Sequence, residues 1–199
     1  MAQMNHRFTR TSCVEGGIAL ATVVGAVIAA PDAEARVARL EILSVESPTF
    51  EGLSFGEVGP YEKIIARAHG EIDPADPRNA LITDIYLAPK NDGGLVEYQT
   101  DVQILKPVDA ELGSGKLFLE VLNRGNKGAL ARFNEGESSN EPSTAAHAGD
   151  GLLMRRGYTV VWVGWQNQYN INPGGGRMLA TLPIAQNRRR RPDHRRDDH

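Results

Sequence analysis

The 199 residues contain a single cysteine, Cys13. It sits ahead of a segment that reads as a removable leader, so the mature chain would carry none. A disulfide framework, a cysteine nucleophile and a thiolate-held metal are thereby excluded, and stability must come from packing. A membrane-spanning run is missing too. The fifteen uncharged, mostly apolar residues GGIALATVVGAVIAA (16–30) would span about 22 Å as a helix, short of the ~30 Å bilayer core. No internal repeat is apparent, and no Arg-Arg pair precedes the apolar run, so a twin-arginine signal is unsupported. Excess positive charge is absent from the body. The net charge of −3 divides into −1 for residues 1–35, −5 for 36–185 and +3 for the tail from Gln186. An acidic body argues against nucleic acid or an anionic membrane as partner.

The N-terminus carries the strongest signal that is present. Arg7 and Arg10 precede the apolar run, and Ala33-Glu34-Ala35 follows it as a small-x-small cleavage site, with Arg36 as the first mature residue. This is the pattern of a secretory signal peptide over 1–35. The expectation is export to the periplasm or medium, with no stable membrane span after cleavage.

The body has a globular composition, 41% apolar and 24% charged. VARLEILSVE (37–46) alternates loosely, with Val37, Leu40, Ile42 and Val45 apolar. YEKIIARAHGEID (61–73), ALITDIYLAPK (80–90) and EYQTDVQILKP (97–107) also read as strands. The Gly-rich 51–63, DPADP and NDGG (91–94) read as turns. Residues 36–110 thus form an antiparallel β-rich region. From 111 to 185 the pattern changes. KLFLEVLNRGNKG (116–128) and YTVVWVGW (158–165) are continuously apolar, and STAAHAGDGLLMRRG (143–157) between them reads as a helix ending in basic residues and Gly. Strand, helix and strand of this kind predict a βαβ unit in a parallel sheet covered by helices, with open edges and uncovered faces because only two of its strands are present. The fold class expected is mixed α/β. PGGGRMLATLPI (173–184) reads as a Gly turn and one more short strand.

LEVLNRGNKGAL (119–130) and GDGLLMRRGYTVVWVGWQ (149–166), together with SVESPTFEGLSFGEVGPYEKI (44–64), DPADPRNALITDIYLAPKN (73–91) and ILKP (104–107), resemble the front end of a bacterial family of exported alpha/beta hydrolase domain-containing proteins. The likeness covers about 37–185. It implies an incomplete α/β-hydrolase-like sheet beginning at 111, hydrolysis of an ester or related acyl bond in a small-molecule substrate, and no cofactor. It also implies that Asn123, Arg124, Gly125, Asn126 and Lys127 are the loop whose backbone N–H groups would serve an oxyanion. The family's chemistry needs a Ser on a strand-to-helix elbow, then an acid and a His. No G-x-S-x-G occurs here, and Gly113-Ser114-Gly115 precedes a strand instead of following one. The expectation is therefore an N-terminal fragment, inactive as this chain, with no catalytic residues to name. A non-catalytic β-rich binding module is the alternative. The oligomeric state is left open.

Residues 186–199 contain six Arg, three Asp and two His and no apolar residue. Such a tail could neutralise phosphates. The acidic body and the export signal favour instead a disordered, out-of-frame translation of a GC-rich gene. Other candidates read as structure. The tail's His194 and His199 offer a metal no fixed geometry. His69 and His147 have no nucleophile beside them. Glu71, Asp73, Asp76 and Asp84 lack calcium-loop spacing. Gly174-Gly175-Gly176 lacks the Lys-Ser/Thr of a phosphate loop. Trp162 and Trp165 read as core.

Overall fold

The computed structural model describes residues 36–170 and 174–186. The leader with Ala33 and Ala35, and the Arg-rich tail from Asn187 with His194 and His199, lie outside the described residues. Six strands form one mixed sheet: β1 (Arg36–Glu46), β2 (Tyr61–Ile72), β3 (Val96–Pro107), β4 (Leu117–Val121), β5 (Thr159–Val163) and β6 (Ala180–Thr181). The order is β1-β2-β3-β5-β4, with β6 also paired to β3. The long strands and β5 pair antiparallel, and β4 lies parallel to β5 as expected. The β-rich region and the segment from 111 onward thus share one sheet, joined where Val102 to Leu105 of β3 pair with Val163 to Val160.

The uneven spacing of Val37, Leu40, Ile42 and Val45 is resolved by two irregularities in the β1–β2 ladder, at 37/39 and at 42/44. Each extra residue shifts the alternation by one. All four apolar residues then meet β2 opposite Gly70, Ala68, Ala66 and Ile64, on one face of the sheet.

Three short helices cover the opposite face: α1 (Ala129–Phe133), α2 (Ala145–Ala148) and α3 (Leu152–Arg155). Their Leu130, Ala148, Leu153 and Met154 bury against Tyr61, Leu105, Val160 and Trp162. The Gly-rich 51–63 segment turns as expected, and it also sends Phe50 and Phe55 into this core. Their rings and that of Tyr61 pack edge-on, with centroids 6.0 and 5.5 Å apart. The Tyr61 hydroxyl donates to the carbonyls of Met154 and Tyr158, tying β2 to α3, and burial pushes its pKa up.

Two expectations are corrected. First, residues 80–90 are not a strand. Asp84 is left-handed at φ 59°, Ile85–Leu87 is a 3-10 turn, and Leu81 is 95% exposed. Both edges of β2 are filled by β1 and β3 along its length, so the run does not pair beside the strand it follows. Second, the helix over 143–157 is two helices, broken at Gly149 and Gly151, where φ is positive. Buried Asn134 occupies the break. Its Nδ2 donates to the Ala148 carbonyl, its carbonyl accepts from Asp150 N at 2.7 Å, and its Oδ1 accepts from Leu153 N. One side chain thus caps the end of α2 and the start of α3. Among the described residues helices cover only one face of the sheet. On the other, Ala66, Ala68, Val102 and Ile104 form a small cluster, while Leu119 and Val121 of β4 are 54% and 77% exposed.

Candidate functional site

The continuously apolar β4 contains one charge, Glu120, on the helix-covered face beside Trp162. A carboxylate there must be fully hydrogen-bonded to be tolerated. Its oxygens accept from Gly128 N at 2.9 and 3.0 Å, Ala129 N at 2.8 Å and Trp162 Nε1 at 2.6 Å. Arg132 completes the shell at 3.1 Å. Glu120 therefore holds the start of α1, fixing how the chain leaves β4 and returns.

Between β4 and α1 lies the loop expected to border an active site. Leu122 is buried, and Asn126 N donates to Asn123 O at 3.0 Å across a tight turn. The two central residues, Arg124 and Gly125, have φ of 50° and 80°, the left-handed pair of a type I′ turn. Gly125 is required twice over. Its φ suits glycine, and an added Cβ would lie 2.7 Å from the Met178 carbonyl of the segment crossing above it. The turn is cross-braced: Met178 N donates to Gly125 O, and Asn126 Oδ1 accepts from Asn140 Nδ2 and Arg177 Nε.

Lys127 points inward. It is 9% exposed and its ammonium lies 5.7 Å from the Trp162 ring centroid. Its Nζ donates to the Asn140 carbonyl and its amide to Asn140 Oδ1 at 2.9 Å. Burial, opposed by the charge of Glu141, lowers its pKa to about 8. A second buried lysine, Lys63, pairs with Glu46 at 2.6 Å and donates to the Pro142 carbonyl. Beside Lys127 and Trp162 a cavity of about 10 Å³ is lined also by Ser139 and Glu137, space on the order of one water molecule. Next to Trp162 in the ladder, Gln103 leaves its buried Nε2 without a partner among the described residues.

Of the five loop residues, then, the amides of Asn126 and Lys127 are occupied, as are those of Gly128 and Ala129 that follow. The amides of Arg124 and Gly125 have no partner among the described residues. These two N–H groups, at the carboxyl end of a parallel strand, are donors the loop can offer an anionic oxygen. Glu120, Asn140 and Lys63 shape the site and were not singled out from sequence, whereas Trp162 was read there as core. Glu120 had a readable signal, a lone charge inside an apolar strand.

The other candidates are built into the structure. His69 Nε2 lies 2.7 Å from Glu41 and 2.8 Å from Arg39, an exposed cluster in which the His69 hydrogen bond lowers the Glu41 pKa. His147 Nδ1 accepts from Ser143 N and Thr144 N, closing the start of α2. Asp73 and Asp76 accept backbone amides two residues on, as turn residues do, and Glu71 pairs with Arg36. Residues 174–176 form a turn. Trp162 is core, but Trp165 is 57% exposed and donates to the Leu122 carbonyl at 2.7 Å. Among the described residues no helix is long and apolar enough to cross a membrane.

Comparison with protein-family models, with curated proteins and with solved structures finds no match to this chain.

Proposed function

We propose that the chain is the front portion of an exported α/β-hydrolase-like enzyme acting on an ester or related acyl bond, and that alone it does not turn over substrate. The observation that carries this reading is the 123–127 turn. It sits at the carboxyl end of β4, beside parallel β5, and keeps the amides of Arg124 and Gly125 unspent. Sites in α/β sheets form at the carboxyl ends of their strands, and acyl transfer needs N–H donors there. The resemblance of 119–130 and 149–166 to exported hydrolase-like proteins supplies the reaction class. The Arg7/Arg10 leader with Ala33 and Ala35 supplies the export. The exposed apolar face of β4 fits a sheet that in the whole enzyme is covered on both sides. No cofactor is called for, and the acidic body suits a small neutral ester better than nucleic acid.

The test is to sequence the coding DNA across codons 180–200 and translate the frames beyond. A frame that resumes strand and helix periodicity and contains G-x-S-x-G supports the reading. No such frame, or hydrolysis of p-nitrophenyl butyrate by the chain as it stands, overturns it. A second reading, a binding module that works without catalysis, is favoured by the open groove between β4, α1 and α3. It requires cooperative melting and a monodisperse solution species.

A further inference from the structure

At the opposite end of β4 from the 123–127 turn lies a groove of about 560 Å³, lined by Lys116, Phe118, Phe133, Leu152, Arg156 and Tyr158 along with Leu153. That volume falls within the roughly 300–1,000 Å³ of small-molecule sites. Its lining is mixed, polar groups of Lys116, Arg156 and Tyr158 beside an apolar side. Phe118 comes from β4 and Phe133 from the end of α1, their rings edge-on at 5.1 Å. Leu153 is anchored in the core, while Phe133 and Leu152 remain 46% and 37% exposed where they meet the groove.

The rim is cationic. Lys116 stands just before β4 and Arg156 just after α3, both exposed. Neither forms an ion pair among the described residues, whereas the neighbouring cations Arg132 and Arg155 are paired with Glu120 and Asp150. Two positive charges without an ion pair beside the apolar side of one groove favour a ligand with a single anionic head and an apolar body.

We propose that this groove binds a free medium-chain carboxylate, its head between Lys116 and Arg156 and its chain along Phe118, Phe133 and Leu152. The site is separate from the turn proposed to serve acyl chemistry, since the five residues of β4 hold them about 16 Å apart. It stands whether or not the hydrolase reading does.

Isothermal titration of the full chain with decanoate, and with decanol as the uncharged counterpart, tests this. The parent protein is expected to bind one decanoate. The double variant Lys116→Gln/Arg156→Gln should weaken decanoate about tenfold and change decanol less than about twofold, as two exposed charge contacts allow. Val121→Lys, on the uncovered sheet face, should leave decanoate binding intact and separates this groove from that surface. The proposal is overturned by unchanged decanoate affinity in the double variant, by equal affinity for decanol, by loss of binding in Val121→Lys, or by no binding at all. Retention on phosphatidylglycerol vesicles without decanoate binding also overturns it, in favour of a membrane surface.

Discussion

Replacing Glu120 tests whether this carboxylate organises the passage from β4 to α1. Its side chain is 9% exposed and receives three N–H groups, from Gly128, Ala129 and Trp162, besides the exposed Arg132. Hydrogen bonds to a charge contribute roughly 1.5–3 kcal/mol each and neutral ones about 1. Glu120→Gln keeps the shape and places one carbonyl oxygen where Oε2 stood, so it converts charge-assisted bonds into neutral ones. The expected loss is about 2–3 kcal/mol, with little from the Arg132 pair because that arginine is largely solvated. Glu120→Ala leaves the three donors without their acceptor and opens a hole, for about 4–5 kcal/mol. With a urea slope of about 2 kcal/mol per molar, the midpoints should fall by about 1 M and about 2 M. Urea titrations followed by tryptophan fluorescence measure both, and Trp162 reports the site directly. A Glu120→Gln midpoint within about 0.3 M of the parent, or an Ala variant no worse than the Gln variant, would refute the reasoning.

Burial holds Lys127 at about 8 against its usual 10.5, so the unfolded chain keeps this proton to higher pH than the native one. Stability should therefore rise as pH passes about 8, by up to about 3 kcal/mol near 10.5, and the rise should vanish in Lys127→Met. Urea midpoints at about pH 7 and about pH 9 check this where an unfolded tyrosine, Tyr61 included, is still mostly protonated. Gly164→Ala would set a Cβ 2.5 Å from the Leu179 carbonyl and should free the segment over 178–181 at about 1–3 kcal/mol, seen as faster amide exchange there. Val121→Lys, at a position 77% exposed, should change the urea midpoint by less than about 0.5 kcal/mol equivalent yet lower the self-association seen by light scattering.

The strands β1, β2, β3, β4 and β5 were legible because their apolar residues recur with strand spacing or run unbroken, and turn residues mark their ends. The parallel partnership of β4 and β5 was legible for the same reason, since two apolar runs flanking a helical stretch leave few other pairings. Residues 80–90 carried the same alternation and became turns. Periodicity measures whether a segment could be a strand, and only tertiary pairing decides whether it becomes one; both sides of the preceding β2 were taken by β1 and β3. The break in the 143–157 helix was written in Gly149 and Gly151, but its cause is Asn134, a residue from a different segment.

The site divides along the same line. Local chemistry read 123–127 as a polar, Gly-containing loop after an apolar strand, and only the resemblance marked it as a site. Which of its amides remain unspent depends on Asn140 and on the segment around Met178, distant in sequence, and so was invisible until the chain was folded. The sequence alone determined the strand-forming segments, the turns between them and the charge of the body, because these depend on residues a few positions apart. The tertiary structure alone decided that Lys127 turns inward onto Trp162, that Glu120 is shared by three donors, and that Lys116 and Arg156 face one groove. Each of those arrangements is set by packing between segments that the chain brings together only when the sheet closes.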